Sequence, residues 1–179
     1  YGVMLHNPHE LKNSQKQFSF QALKELQKED IISKFGLSLY EPPTNLEDFT
    51  ELIQLPGNAF DNRTFRFLDA YPGKSRQLVF IRSIFLQGLL LIENYKEHEF
   101  ARQWLEYLDP WHDCLNSLSI SPKQAAVWHV MNKCQGSNLV VGVQSAQQFR
   151  EVLDIYRNRE EFEYSYSSIP SNLYDPRNW

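Results

Sequence analysis

The stretch Gln77-Leu78-Val79-Phe80-Ile81-Arg82-Ser83 sets four apolar residues in a row between polar ends. A strand with one wetted face alternates apolar and polar residues. An unbroken run is the pattern of a strand covered on both sides, as in a parallel sheet lined by helices. The charge that closes the run, Arg82, needs a partner where it leaves the core: either a carboxylate or a bound group.

Segments of the same kind lie on either side. Upstream, Val3-Met4-Leu5 is a short apolar strand that ends at His6 and the turn-prone pair Asn7-Pro8. Phe20, Leu23, Leu26 and Ile31 then mark one face of a helix, with Lys24, Glu25, Lys28 and Glu29 between them. Phe35-Gly36-Leu37-Ser38-Leu39-Tyr40 reads as a second strand, stopped by Glu41-Pro42-Pro43. Thr44-Asn45-Leu46-Glu47 has the spacing of a capping box for a short helix, followed by the strand Ile53-Gln54-Leu55. A polar and aromatic loop from Asn58 to Tyr71 runs into a short helix. Downstream, Phe100, Trp104, Tyr107, Leu108 and Trp111 predict one or two helices between His98 and Leu118, with Pro110 as kink or break. His98, His112 and His129 fall on helices as surface or packing residues. Ser121-Pro122-Lys123-Gln124 opens a helix that runs to about Cys134 and stops at Gly136. Leu139-Val140-Val141-Gly142-Val143 is a fifth strand. Ser145 caps a last helix whose apolar face is Phe149, Val152, Leu153 and Tyr156. Residues 157–179 are expected to form an irregular surface tail after a 1–156 domain.

Strand and helix alternate throughout, which predicts an α/β fold with a parallel sheet. Periodicity alone leaves open whether the sheet is doubly wound or part of a closed barrel. The 179 residues are 42% apolar and 22% charged, an ordinary globular balance, and the net charge of −4 excludes a general affinity for nucleic acid or anionic membrane. The longest apolar stretch, Ile84 to Ile92, is too short to span a bilayer. Cys114 and Cys134 have no closely spaced metal-ligand partners, so no metal site is expected. A reduced, cytoplasmic protein is the simpler reading. The chain opens inside a strand, so the expectation is a piece of a longer barrel.

In parallel α/β folds the chemistry sits at the C-terminal ends of the strands. Those ends carry His6, Ser38, Gln54, Arg82-Ser83 and Gly142-Val143-Gln144-Ser145. Ser38 and Gln54 either bind a ligand or bond neighbouring loops. The absence of a G-x-S-x-G elbow, a Walker loop or a G-x-G-x-x-G loop argues against a hydrolase, a P-loop enzyme or a Rossmann domain.

Taken in order, these tips resemble the aldo/keto reductases from strand four onward. Leu5-His6-Asn7-Pro8 looks like the strand-four segment, Gly36-Leu37-Ser38 like strand five, and Ile53-Gln54-Leu55-Pro56 like strand six. Arg82 to Leu90 is similar to the strand-seven loop, and Val141 to Ser145 with Gln148 to the strand-eight turn. Arg82 and the closing Asp175-Pro176-Arg177-Asn178-Trp179 resemble a bacterial subgroup connected with sugar and surface-polysaccharide biosynthesis.

The resemblance implies a (β/α)8 TIM-barrel fold, of which the C-terminal five βα units are present. It implies an oxidoreductase that moves a hydride between NADP(H) or NAD(H) and a carbonyl, alcohol or sugar substrate. His6 would be catalytic. Ser38 and Gln54 would hold the nicotinamide carboxamide, and Arg82 would stand where many members stack a tyrosine. Ser83, Ile84, Phe85, Leu86 and Gly88 would run along the pyrophosphate. Gly142, Val143, Gln144, Ser145 and Gln148 would hold the adenosine end. Two positions depart from the pattern, Leu39 and Val152, where members often have asparagine. A full barrel needs about 250 residues, so the chain is short by about three βα units. The family's proton-donating tyrosine and its lysine and aspartate partners lie on those units, so the chain alone is expected to be inactive. The competing expectation is a non-catalytic half-barrel or pseudo-enzyme that binds a nucleotide or a protein partner, with self-association through its exposed edges.

Overall fold

The structure is a computed structural model that describes residues 1–44, 51–70, 78–166 and 168–179. Five strands alternate with helices: β1 (Gly2–His6), α1 (Asn13–Lys28), β2 (Lys34–Ser38), β3 (Leu52–Pro56), α2 (Arg63–Ala70) and β4 (Leu78–Arg82). After these come α3 (Leu105–Leu118), α4 (Pro122–Lys133), β5 (Asn138–Leu139), α5 (Ala146–Arg157) and α6 (Ser171–Tyr174). The capping box at Thr44 and the short helix after it fall on residues 45–50, outside the described residues.

All four strand pairings are parallel, and the order across the sheet is β1-β2-β3-β4-β5, the order of the sequence. A doubly wound sheet reverses its strand order at a switch point. A sheet that never reverses is an arc of a (β/α) barrel. Topology thus decides what periodicity left open.

The chain divides into two compact units. The first comprises Tyr1–Pro56, Arg63–Arg82 and Gly136–Leu139; the second comprises Gly57–Asn62, Ser83–Gln135 and Val140–Trp179. In the first unit, Phe35, Leu37 and Leu39 and, from the neighbouring strands, Ile53, Leu55 and Ile81 are all buried. Phe20 and Leu23 of α1 are buried, whereas Ile31 lies beyond the helix and is exposed, and Ile32 is buried instead. Not every strand is covered on both faces. β4 has Val79 and Ile81 buried but Leu78 exposed, and β1 is open along much of its length.

Sheet register depends on one glycine. Gly36 pairs with Leu52, and a Cβ at Gly36 would lie 1.8 Å from the Leu52 carbonyl oxygen. No side chain fits there, so the close approach of β2 to β3 requires glycine.

The second unit is built around Trp111, which has no exposed surface. Its ring meets Phe60, Phe162 and Tyr164 edge-on at 6.0, 6.2 and 5.0 Å, and its indole N–H donates to the Leu90 carbonyl at 3.3 Å. Edge-to-face contacts of this kind add to the burial of the rings. α4 begins at the expected capping box: Ser121 accepts from the Gln124 amide, and the Gln124 side chain accepts from the Ser121 amide. Cys114 and Cys134 are not joined in a disulfide.

Four expectations are corrected. Pro110 lies inside α3 without breaking it, and the change of geometry falls earlier, where a 3-10 turn at Ala101–Trp104 meets α3. His98 sits in a turn and not in a helix. The fifth strand is two residues long, because β5 is an edge strand with a single partner, and Val140 to Val143 leave it as irregular, largely exposed chain. The tail is no surface appendage. Phe162 and Leu173 join the aromatic core, and Ser171–Tyr174 is helical.

Two predictions follow from this packing. Gly36→Ala should destabilise the chain by about 1–3 kcal/mol through overpacking, while Gly142→Ala, with nothing within 4 Å of its Cβ position, should be close to neutral. Urea unfolding of both variants measures the difference. The second concerns acid. His129 is buried in α4 and its Nδ1 accepts from the Tyr164 amide at 3.0 Å; burial, with Lys133 nearby, pushes it down to about 4. Burial also lowers His112. A folded state that keeps these rings neutral is fully stabilised above their unfolded range of about 6.5. It loses that stability as pH falls toward 4. Thermal melts from pH 7 to 4 should show a falling Tm, with a shallower slope in His129→Gln.

Candidate functional site

In the first unit the parallel register places three polar tips in one row. His6 is paired with Ser38, and Ser38 with Gln54. His6 and Ser38 close their strands, whereas Gln54, expected at a strand tip, lies mid-way along β3, with the buried Leu55 and Pro56 beyond it. Ser38 is buried, Gln54 half-buried and His6 exposed. The Ser38 hydroxyl donates to Gln54 Oε1 at 3.1 Å, and His6 Nδ1 lies 3.3 Å from Ser38 Oγ. Asn7, buried and left-handed at φ 43°, turns the chain out of β1, and its amide donates to the Ser38 carbonyl at 2.8 Å.

Tyr40 joins this row and was not picked out from the sequence. Its hydroxyl is 3.4 Å from His6 Nε2, and its ring stands edge-on to the imidazole at 5.4 Å. The signal was available: strand side chains repeat every second residue, so Tyr40 is two positions past Ser38 on the same face. Arg82, at the tip of β4 and paired with Pro56, completes the group. Its guanidinium lies over the Tyr40 ring at 5.1 Å and donates to the Leu39 carbonyl at 3.1 Å. Both contacts suit a planar, weakly hydrated cation. Leu39 itself is fully buried, its side chain in the core.

The other candidate residues belong to the second unit. From Ser83 to Gly88 the backbone carries four positive φ angles: 59° at Ser83, 47° at Leu86, 54° at Gln87 and 92° at Gly88. Three of these residues are not glycine, and such conformations persist only where surrounding contacts hold them. Here the Ser83 carbonyl accepts from the Leu86 amide at 2.9 Å and from the Asn58 side chain at 3.2 Å. Ile84 and Leu86 bury their side chains, and Phe85 is half-buried. For Ile84 and Leu86 only the backbone remains to meet a ligand. At the start of α5, Ser145 accepts from the Gln148 amide at 3.1 Å, and Gln148 Oε1 accepts from the Gln144 amide at 2.8 Å. Gln148 is thus engaged as a cap. Gly142 has open space around it, and Val143 is exposed. Phe149 and Tyr156, expected to face inward, are about half exposed, and of that face Val152 alone is buried.

Among the described residues no group of three or more His, Cys, Asp or Glu could hold a metal ion, and no helix is long and apolar enough to cross a membrane.

Comparison of the whole chain with solved structures gives an aldo-keto reductase from a Medee basin deep-sea metagenome library (TM-score 0.57, 10% identity). It covers 98% of this chain and 63% of its own. An aldo/keto reductase from Brucella melitensis matches at TM-score 0.54 and 16% identity, over 92% and 56% of the two chains. The chain has the fold of part of an aldo-keto reductase. A variant of Gox0644, solved in complex with NADPH, matches at TM-score 0.55 and 17% identity, over 89% and 54%. The chain therefore spans about half to three-fifths of the aldo-keto reductase structures it matches. No protein-family model matches the sequence, and no curated protein sequence does.

Removing the Arg82 guanidinium should loosen the strand tips. Arg82→Met is expected to cost about 1–2 kcal/mol, from the lost hydrogen bond and cation–π contact. Arg82→Lys should not restore it, because an ammonium cannot lie flat on Tyr40 while bonding Leu39. Urea unfolding of both variants measures this.

Proposed function

We propose that the chain is the C-terminal part of an aldo/keto reductase-like oxidoreductase, and that its strand tips receive the nicotinamide end of NADP(H) or NAD(H) beside a carbonyl or alcohol substrate such as a sugar. The observation that carries this reading is the single row His6–Ser38–Gln54 with Tyr40 and Arg82 beside it. A carboxamide needs a donor for its oxygen and an acceptor for its nitrogen. Gln54 retains its Nε2 hydrogens after Oε1 is engaged by Ser38, and Ser38 Oγ has a second lone pair, so the donor set fits the group. His6 is the polar group with which a substrate oxygen would interact. Bound nicotinamide supplies or takes up the hydride.

By the same resemblance, Ser83, Ile84, Phe85, Leu86 and Gly88 are assigned to the pyrophosphate. Gly142, Val143, Gln144, Ser145 and Gln148 are assigned to the adenosine end. Backbone amides suit an anionic pyrophosphate, and the buried Ile84 and Leu86 side chains leave that backbone as the contact.

A second reading, a non-catalytic half-barrel that binds a nucleotide or a partner, is favoured by the open edge at β1, where Tyr1 is 99% exposed and Val3 39%. Sedimentation separates the two in part, since concentration-dependent association of the chain is expected of an uncovered edge.

The nucleotide reading is tested by titrating NADPH into the chain and following its fluorescence. Binding is expected, and Gln54→Leu should weaken it about tenfold, the loss of roughly 1.4 kcal/mol of hydrogen bonding. Absence of binding by the intact chain overturns the reading. With a generic aldehyde added, the chain alone is expected not to oxidise NADPH.

A further inference from the structure

In the second unit the segment after α5 is tied to α4 by two kinds of hydrogen bond. Asn132 of α4 donates from its side-chain nitrogen to two carbonyls of that segment, Glu160 at 3.0 Å and Phe162 at 3.2 Å. A carboxamide nitrogen only donates and does not titrate, so this tie holds at every pH. Phe162 itself is buried against Trp111. Two residues on, the tie is of another kind. The Tyr164 backbone amide donates to Nδ1 of His129 at 3.0 Å. A backbone N–H only donates, so Nδ1 is the bare nitrogen of a neutral ring and the hydrogen sits on Nε2. Once the ring takes up a proton, Nδ1–H faces an N–H. The bond is then replaced by a repulsion between two donors.

What this second tie holds down is a cover over the ring cluster. Tyr164 meets Trp111 edge-on at 5.0 Å and lies 6.0 Å from Phe60. Tyr166 stands edge-on to Phe60 at 6.3 Å, and its hydroxyl accepts from the Asn62 amide at 3.2 Å. Among the described residues two charges act on the His129 ring: Lys133 on α4 opposes its protonation, and Glu163 beside Tyr164 favours it. They form an ion pair with each other, so their effects partly cancel and burial decides. From α3, Cys114 acts on the Tyr164 phenol, which burial pushes up to about 12 and so keeps neutral in acid. We propose that His129 is an acid-sensitive latch. Neutral, it holds Tyr164 and Tyr166 over Phe60 and Trp111. Protonated, it releases the stretch from Tyr164 to Tyr166 as a flap hinged at Phe162, which Asn132 keeps in place. Part of the aromatic cluster is then uncovered to solvent while the rest of the unit stays folded. The latch does not depend on the function proposed above.

Hydrogen exchange of the full chain, followed by NMR from pH 7 to 5 and corrected for the intrinsic rate, tests the latch. The Tyr164 amide reports the tie to His129, and the Asn62 amide reports the seat of Tyr166. Burial holds the docked ring down to about 4, against 6.5 for an unperturbed one. The released form therefore binds more protons, and acid favours it, by roughly twentyfold between pH 7 and 5. Protection of both amides is expected to fall by that factor, while Trp111 and Leu115 inside α3 keep theirs. His129→Asn keeps an acceptor at the δ position and does not titrate, so its Tyr164 protection should be flat over the same range. Long-range 1H–15N spectra of the wild type at pH 7, with the ring assigned through its own backbone, should show the hydrogen on Nε2. Tyr164 protection that ignores pH overturns the proposal, as does a slope that survives in a folded His129→Asn. A loss shared in step by the α3 amides overturns it too, because the whole unit would then be unfolding. A ring with its hydrogen on Nδ1 has the same consequence. Should His129→Asn fail to fold, the wild-type exchange profile and the ring spectrum still decide.

Discussion

The close approach of two backbones at Gly36 underlies most of what the first unit does. With no side chain at that position, β2 lies against β3 in the one register that pairs Ser38 with Gln54. The β1–β2 register then brings His6 into the same row. A slip of one residue would turn every side chain of a strand to the opposite face. The polar tips would then scatter, and neither the Ser38–Gln54 bond nor the His6–Ser38 contact could form. The chemistry of the tips is thus inherited from a packing constraint in the middle of the sheet.

Much of this was legible in the sequence, for identifiable reasons. Apolar runs ended by His6, Ser38 and Arg82 mark strands leaving a core, and the structure has strands ending at each of them, while β3 continues past Gln54 to Pro56. The capping box at Ser121 and the serine cap at Ser145 are local chemistry, decided within four residues, and local chemistry reads well from a sequence. Strand order is different. Five alternating units allow several sheets, and only three-dimensional pairing distinguishes an unreversed arc from a doubly wound sheet.

What was misread depends on partners distant in the chain. Val140 to Val143 have the composition of a buried strand but lie at a sheet edge with one neighbour, so the ladder ends after two residues. Phe149 and Tyr156 have helical spacing with Val152, yet the surface that would cover them is absent among the described residues, and spacing cannot report that. Pro110 is tolerated within α3, where the sequence suggested a kink or break. Tyr40 reads in sequence as the last residue of its strand, but the ladder ends at Ser38, and the contact of Tyr40 with His6 joins residues far apart in the chain.

The tail has the opposite lesson. Its Tyr, Ser and Pro content reads as irregular, but Phe162 and Leu173 supply apolar surface to the ring cluster around Trp111. That cluster is therefore assembled from pieces of chain far apart in sequence, at Phe60 and at Phe162 and Leu173. Bringing such distant segments together costs chain entropy before the rings reward it, so the surroundings of Trp111 should be among the last parts of the second unit to become fixed as it folds. A proteolytic cut that released the segment carrying Phe162 and Leu173 would take away part of the interior itself, which makes that segment a condition of folding for the second unit.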